Sequence, residues 1–305
     1  MSLDRRTFIT GTATALAALS AQSARAQSPS AATAPGRGFG WIRDRPDPSD
    51  RKLAAPAFIS SASRPAAKDL SAQFTAPYDQ GQVGSCTANA IAAAVQYARK
   101  VHDKPGDFVP SRLFIYYYER LMEGQLYTDS GAQIRNGIKA VVQYGVPEEE
   151  SWPYENIPGD PITRVFPAGS RAITQPTATV VAEAAKYRTI SYAPLKQDAV
   201  SLETCIASGY PFVFGFTVFD NLTDSVTHLR RPGPDDHITP FGHAVLATGY
   251  NQNRRTFKIR NSWGPTCHSG GYFEMDYDYL LDTGLAADFW VVYQTLGFLG
   301  GAQPK

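Results

Sequence analysis

Residues 79–90 read DQGQVGSCTANA, with glycines at 81 and 84 and a cysteine at 86. The glycines permit a tight loop, and helical periodicity begins directly after it. Ala88, Ile91, Val95 and Ala98 fall on one face, which predicts a helix from residue 86 to about 101, with Ser85 available as its cap. A thiol at a helix N-terminus feels the positive end of the macrodipole and the unpaired N–H groups, both of which favour thiolate. A free cysteine is more often a small buried hydrophobe. The glycine-rich approach and the helix start set Cys86 apart and make it a candidate nucleophile.

Beyond this helix, Leu113, Tyr117 and Leu121 suggest a second one after a cap at Ser111. Ile134, Ile138, Val141 and Val142 mark a third, closed by Gly145 with Pro147 beyond it, and a shorter one covers residues 200–207. Strand signals follow in β-branched and aromatic runs at 210–219, 243–250, 256–260, 271–276 and 289–294, separated by Gly, Pro and Asn-rich turns. Helices followed by strands indicate an α+β chain in two halves, divided within residues 183–195, and a cleft between halves is a usual place for a site.

A thiolate nucleophile needs a base, and the base needs a group to orient it. His102, His228 and His237 stand in polar contexts, whereas His243 opens the apolar run GHAVLATGY. Asn261 ends the next strand, in IRNSWG. A hairpin between the two strands would bring the Asn261 carboxamide oxygen to the imidazole N–H, with Trp263 covering that bond from water.

Together these residues resemble a family. A glutamine upstream of GSC, then GHAV, then NSWG, in that order, is similar to the papain-like cysteine peptidases, over about residues 70–295. The resemblance implies a two-domain α+β fold, with a helical left domain, a β-barrel-like right domain and the active site in the cleft between them. It makes Cys86 the nucleophile, His243 the base and later acid, and Asn261 the orienter. Gln80 would give its side-chain amide to the oxyanion hole, alongside the Cys86 backbone N–H. Asp129-Ser130-Gly131 resembles the family's substrate-pairing glycine strip, so Ser130 and Gly131, with Trp263, are candidate substrate-binding residues. Three features depart from the pattern. Thr87 stands where an aromatic residue is usual, and Val83 replaces a disulfide-forming cysteine. His243 and Asn261 lie farther from Cys86 than the usual spacing of about 130–150 residues, which insertions near residues 158–177 and 220–240 would explain.

The flanks read differently. Residues 1–26 carry Arg5-Arg6, a short apolar run and Ala24-Arg25-Ala26, and resemble a twin-arginine export signal leading to a bacterial periplasm or the medium. An amphipathic N-terminal helix or an uncleaved anchor is the alternative. Residues 27–68 are rich in proline without periodicity and read as a linker or short pro-segment. Within them GFGWIRDRPD could dock on a groove through Phe39, Trp41 and Ile42, and any self-inhibition by residues 27–68 would fall to that patch. The peptidase domain then takes residues 69–300, helical at about 69–185 and β at about 186–300.

Composition sets the outer bounds. The 305 residues include 29 Lys plus Arg against 28 Asp plus Glu and 43% hydrophobic residues, which excludes a disordered chain and leaves no basic excess for nucleic acid. Three cysteines exclude a disulfide scaffold. Cys205 and Cys267 are open to three readings: inert thiols, a disulfide with each other, or a metal site with His268. No cofactor and no metal are expected, and the expected partner is a peptide or protein substrate. Two rival readings remain, a Cys-His acyltransferase of transglutaminase type and a non-catalytic peptide-binding relative.

Overall fold

The helix that begins at Cys86 is the centre of the fold. The computed structural model describes residues 37–45, 63–102, 108–188 and 190–294, without the side chain of residue 102. The export-signal reading of residues 1–26 and much of the 27–68 segment therefore lie outside the described residues. The helices are α1 (Cys86–His102), α2 (Arg112–Met122), α3 (Ile134–Tyr144), α4 (Ala178–Ala184), α5 (Ala199–Ala207) and α6 (Tyr277–Leu280). The first 13 residues of α1, 86–98, are buried on every face, not on one stripe as the periodicity suggests. Alanines at 88, 90, 92, 93 and 94 make this possible, because they let α2 and α3 close on one side and the sheet on the other. Ser111 caps α2, its Oγ accepting from Phe114 N at 3.2 Å and donating to Trp152 O at 2.6 Å. Gly145 ends α3 at φ 78°, a conformation that favours glycine.

The strands are β1 (Ala67–Asp69), β2 (Ile190–Pro194), β3 (Phe212–Phe219), β4 (His228–Leu229), β5 (Ile238–Asn251), β6 (Thr256–Arg260), β7 (Tyr272–Asp276) and β8 (Ala286–Gln294). They form one sheet in the order β2-β8-β3-β5-β6-β7-β4, with β1 added to β5. All pairings are antiparallel except β4 with β7. The barrel-like second half needs correction in one respect: the sheet is bulged but does not close. Its ends are β2 and the two-residue β4, which do not pair with each other.

The core has two parts. One lies among α1, α2 and α3 and reaches the sheet through Val213, Ala244, Leu246 and Trp290. The other lies within the β half around Phe212, Phe214, Phe216, Phe257 and Tyr279. Strand β1 is exposed throughout and carries no apolar alternation, so only its main-chain pairing to β5 reveals it.

Candidate active site

Main-chain pairing brings the loop that precedes Cys86 to the NSWG turn. Gln80 N donates to Ser262 O at 2.9 Å, and Asp79 bridges Trp263. The Gln80 side chain is fixed at both ends: Oε1 accepts from Ser262 Oγ at 2.5 Å, and Nε2 donates to Val83 O at 2.9 Å. Gly84 N donates at 2.9 Å to the buried Asp129, which also accepts from Tyr116 Oη at 2.7 Å. The cysteine loop is thereby tied to the Asp129-Ser130-Gly131 stretch. Thr87 turns into the helical half, its Oγ1 donating to the buried Glu119 at 2.9 Å. Ser85 Oγ pairs with Tyr154 Oη at 2.6 Å.

Cys86 is fully buried, and its Sγ accepts from Ala244 N at 3.4 Å. Burial pushes the thiol up to about 12, against backbone N–H groups of Ala244 and Gly40 that favour the thiolate. His243 precedes Ala244 on β5, and Asn261 follows β6. His243 Nε2 lies 2.8 Å from Asn261 Oδ1, the pairing that the hairpin argument anticipates. Asn261 Oδ1 also accepts from Ser262 N at 2.8 Å, and its Nδ2 lies 2.8 Å from His268 Nε2. His268 Nδ1 in turn lies 2.8 Å from Val226 O. A carbonyl oxygen only accepts, so His268 carries its proton on Nδ1 and accepts from Asn261 on Nε2. His243 then donates through Nε2, and its buried Nδ1 has no partner and is left as the basic nitrogen. Burial lowers His243 to about 4, opposed by the Asn261 bond. Trp263 stacks on both imidazoles, at 5.1 Å from His243 and 5.4 Å from His268.

Residues 37–45 lie across this constellation. Gly38 O accepts from Gln80 Nε2 at 3.0 Å, and Gly38 N donates to Gly81 O at 2.9 Å. Ala132 N donates to Gly40 O at 2.7 Å, Ile42 N to Ala132 O at 3.0 Å, and Trp41 N to Gly242 O at 3.0 Å. Gly131 sits under Gly40 at φ 75°, with no room for a Cβ, while Ser130 borders the groove beside the segment. The groups that pair are thus those of Ala132, one residue past the two singled out from sequence. Phe39 and Trp41 are buried, with Phe39 edge-on to His243 at 5.5 Å, whereas Ile42 stays 39% exposed. At the other end Arg37 pairs with Asp224 at 2.8 Å and donates to Cys267 Sγ at 2.7 Å.

Cys205 and Cys267 form no disulfide. Among the described residues no group of three or more His, Cys, Asp or Glu is placed to hold a metal, and no helix is long and apolar enough to cross a membrane. Sequence reasoning misses Ser262, Ala132 and His268, which hold Gln80, the 37–45 segment and Asn261 in place. It weighs His268 only as a metal ligand.

Comparison with known proteins gives a consistent result. The family described as papain family cysteine protease matches residues 64–291. An uncharacterized peptidase C1-like protein of Acanthamoeba polyphaga mimivirus is 37% identical over 280 residues, 85% of this chain and 87% of that one. The crystal structure of xylellain, a cysteine protease from Xylella fastidiosa, is 43% identical with a TM-score of 0.79, over 85% of this chain and 97% of that one. Digestive procathepsin L 3 of Tenebrio molitor shares the fold at 19% identity, with a TM-score of 0.56 over 85% of this chain and 76% of that one.

Proposed function

The chain belongs to the papain family of cysteine proteases, and from that premise we propose that it hydrolyses peptide bonds through Cys86, His243 and Asn261. One observation carries the assignment: His243 has one ring nitrogen fixed by Asn261 and the other unpartnered, and Ala244, the next residue, touches the Cys86 sulfur. The Cys86 proton passes to His243 Nδ1 and the thiolate attacks the substrate carbonyl carbon. Gln80 Nε2, with the Cys86 backbone N–H, holds the oxyanion, a donor pair in which each member is worth about 10²–10³ in kcat. The C–N bond breaks as His243 returns its proton to the leaving amine. His243 then takes a proton from water, which hydrolyses the thioester and frees the thiol.

Cys86→Ala is expected to lower peptide hydrolysis by roughly 10⁴–10⁶ while leaving the fold intact. Peptide cleavage by the pure variant at the parent rate would overturn the assignment. Release of free amine product, without incorporation of an added amine, separates hydrolysis from acyl transfer.

The same geometry supports self-inhibition by residues 37–45. Gly38 O occupies the Gln80 donor, and Gly40 N–H faces the sulfur. The segment keeps the site dry, which favours neutral thiol and neutral imidazole over the reactive ion pair. Catalysis therefore requires the segment to leave. The Arg5-Arg6 pair, the apolar run after it and Ala24-Arg25-Ala26 support export by the twin-arginine route, with the periplasm or the medium as the place of action.

A further inference from the structure

The first turn of α1 is held from behind by a buried acid. Thr87, which stands where the papain-like family usually has an aromatic residue, is fully buried, and its Oγ1 donates at 2.9 Å to Oε2 of Glu119 on α2. Glu119 is itself fully buried, and its other oxygen, Oε1, has no hydrogen-bond partner. Room for that oxygen is made in α3, where a Cβ on Gly137 would lie 2.0 Å from Oε1 and 2.5 Å from Ile91 Cδ1. A glycine inside a helix costs about 1 kcal/mol relative to alanine, and here it lets the acid stand behind α1.

The carboxyl is neutral. Burial holds it well above the ordinary carboxylate range, against the Thr87 hydrogen bond, with Glu123 adding to the rise and Arg120 opposing it. Arg120, the next residue, gives its guanidinium to the main-chain oxygens of Tyr116, Leu126, Thr128 and Ala172. A charged Glu119 would raise the Cys86 thiol. As a neutral acid it anchors Thr87 without setting a negative charge behind Cys86.

Thr87 matters because the N–H groups of a helix's first turn have no partner within the helix. The main-chain N–H groups of Ala244, Gly40 and Thr87 all favour the Cys86 thiolate. Gly40 leaves with the segment, so Ala244 and Thr87 are the two that stay. Ala244 is fixed in the sheet by its pairing with Gly215. Thr87 stands at the open end of α1, and the bond to Glu119 supplies the constraint that the helix end lacks.

We propose that Glu119 is a positioning residue of the peptidase: through the Thr87 hydroxyl it fixes the first turn of α1, and with it the Thr87 N–H that supports the thiolate and the Cys86 N–H that serves the oxyanion. The inference rests on the peptidase reading above and adds to it a group that touches neither substrate nor sulfur.

The test follows two quantities on the full chain: peptide hydrolysis, and the pH at which Cys86 reaches half its limiting rate of alkylation by iodoacetamide, located by peptide mapping. Glu119→Leu removes the acceptor and keeps an apolar side chain in the space. It is expected to lower kcat by up to about tenfold with KM little changed, and to move the alkylation midpoint up by as much as about one pH unit, one hydrogen bond in each case. Thr87→Val, which replaces the hydroxyl by a methyl, should give the same two shifts, and the double variant should lose no more than either single one. Glu119→Gln, neutral and of the same shape, should restore most of both. Parent values in Glu119→Leu and Thr87→Val, losses that add in the double variant, or a Glu119→Gln as impaired as Glu119→Leu would overturn the role of Glu119. Should Glu119→Leu fail to fold, Thr87→Val and Glu119→Gln, which conserve shape, decide in its place. Absence of hydrolysis by the parent would overturn the peptidase reading, whereas the alkylation profiles, which need no substrate, would still decide the role of Glu119.

Discussion

Asn261 Oδ1 receives two donors, His243 Nε2 and Ser262 N, while Nδ2 is turned toward His268 Nε2. His268 thus reaches His243, the proposed base, through Asn261, as a positioning residue two side chains away. His268→Phe keeps a ring beside Trp263 and Phe273 but removes the acceptor. It is expected to lower kcat several-fold, up to about tenfold for one lost hydrogen bond, with KM unchanged. His268→Asn, which tolerates the left-handed backbone of that position (φ 51°), should restore part of the loss. Protonating His268 would place a donor against the Asn261 amide donor, and burial holds His268 below its ordinary value. The parent should therefore show an extra acid loss of kcat below about pH 6.5 that His268→Phe lacks. Equal kcat and identical pH profiles would rule this role out. Cys86 is legible as a candidate because helical periodicity begins at it, and His243 and Asn261 because an apolar run and a strand-ending turn frame them. Gln80 is named only through the family resemblance, and His243 in fact lies inside β5. His268 is not legible, because it meets Asn261 through an irregular turn that leaves no periodic signal.

At the scale of elements, the segment 37–45 docks chiefly by main-chain hydrogen bonds and two aromatic side chains, so its composition reads as a linker. The same limit hid β1, a polar strand held by pairing alone, whereas α1, α2, α3 and β6 stood out through period and caps. The segment has a specific weakness. A Cβ at Gly40 would lie 1.8 Å from Gly84 O, and one at Gly38 2.1 Å from Val83 O, backbone against backbone that no rotamer change relieves. Gly40→Ala should therefore dislodge the segment. Peptide hydrolysis and the rate of Cys86 alkylation, located by peptide mapping, should both rise, by about tenfold for each ~1.4 kcal/mol of lost docking. Unchanged rates would show that the segment does not restrain the site.

Across the whole molecule, the segment is latched to the last strand by a pair of carboxyls that no local pattern brings together. Asp44 accepts from Trp290 Nε1 at 3.0 Å and from Arg135 N at 3.3 Å, and its own N–H is held by Asp288. Burial first, and then Asp288, pushes Asp44 up to about 7, against the attraction of Arg135. Asp288 is raised as well, chiefly by burial, against the Asp44 N–H, Trp41, Arg43 and Arg135. In the open state Asp44 returns to water and titrates near its ordinary value of about 3.9. The closed state therefore keeps a proton that the open state has released between about pH 4 and 7. Closure is strongest in acid and weakens as pH rises through that window, by up to about tenfold per unit, and it levels off above pH 7. The ratio of parent activity to that of Gly40→Ala, which cancels the titration of Cys86 and His243 themselves, should climb from pH 4 to 7 and then flatten. Asp44→Asn keeps the shape of the protonated acid and has no proton to lose, so its ratio should climb distinctly less than the parent's across the same range, with only Asp288 left to titrate. A parent ratio independent of pH, or one unchanged by Asp44→Asn, would show that the carboxyl pair does not control opening.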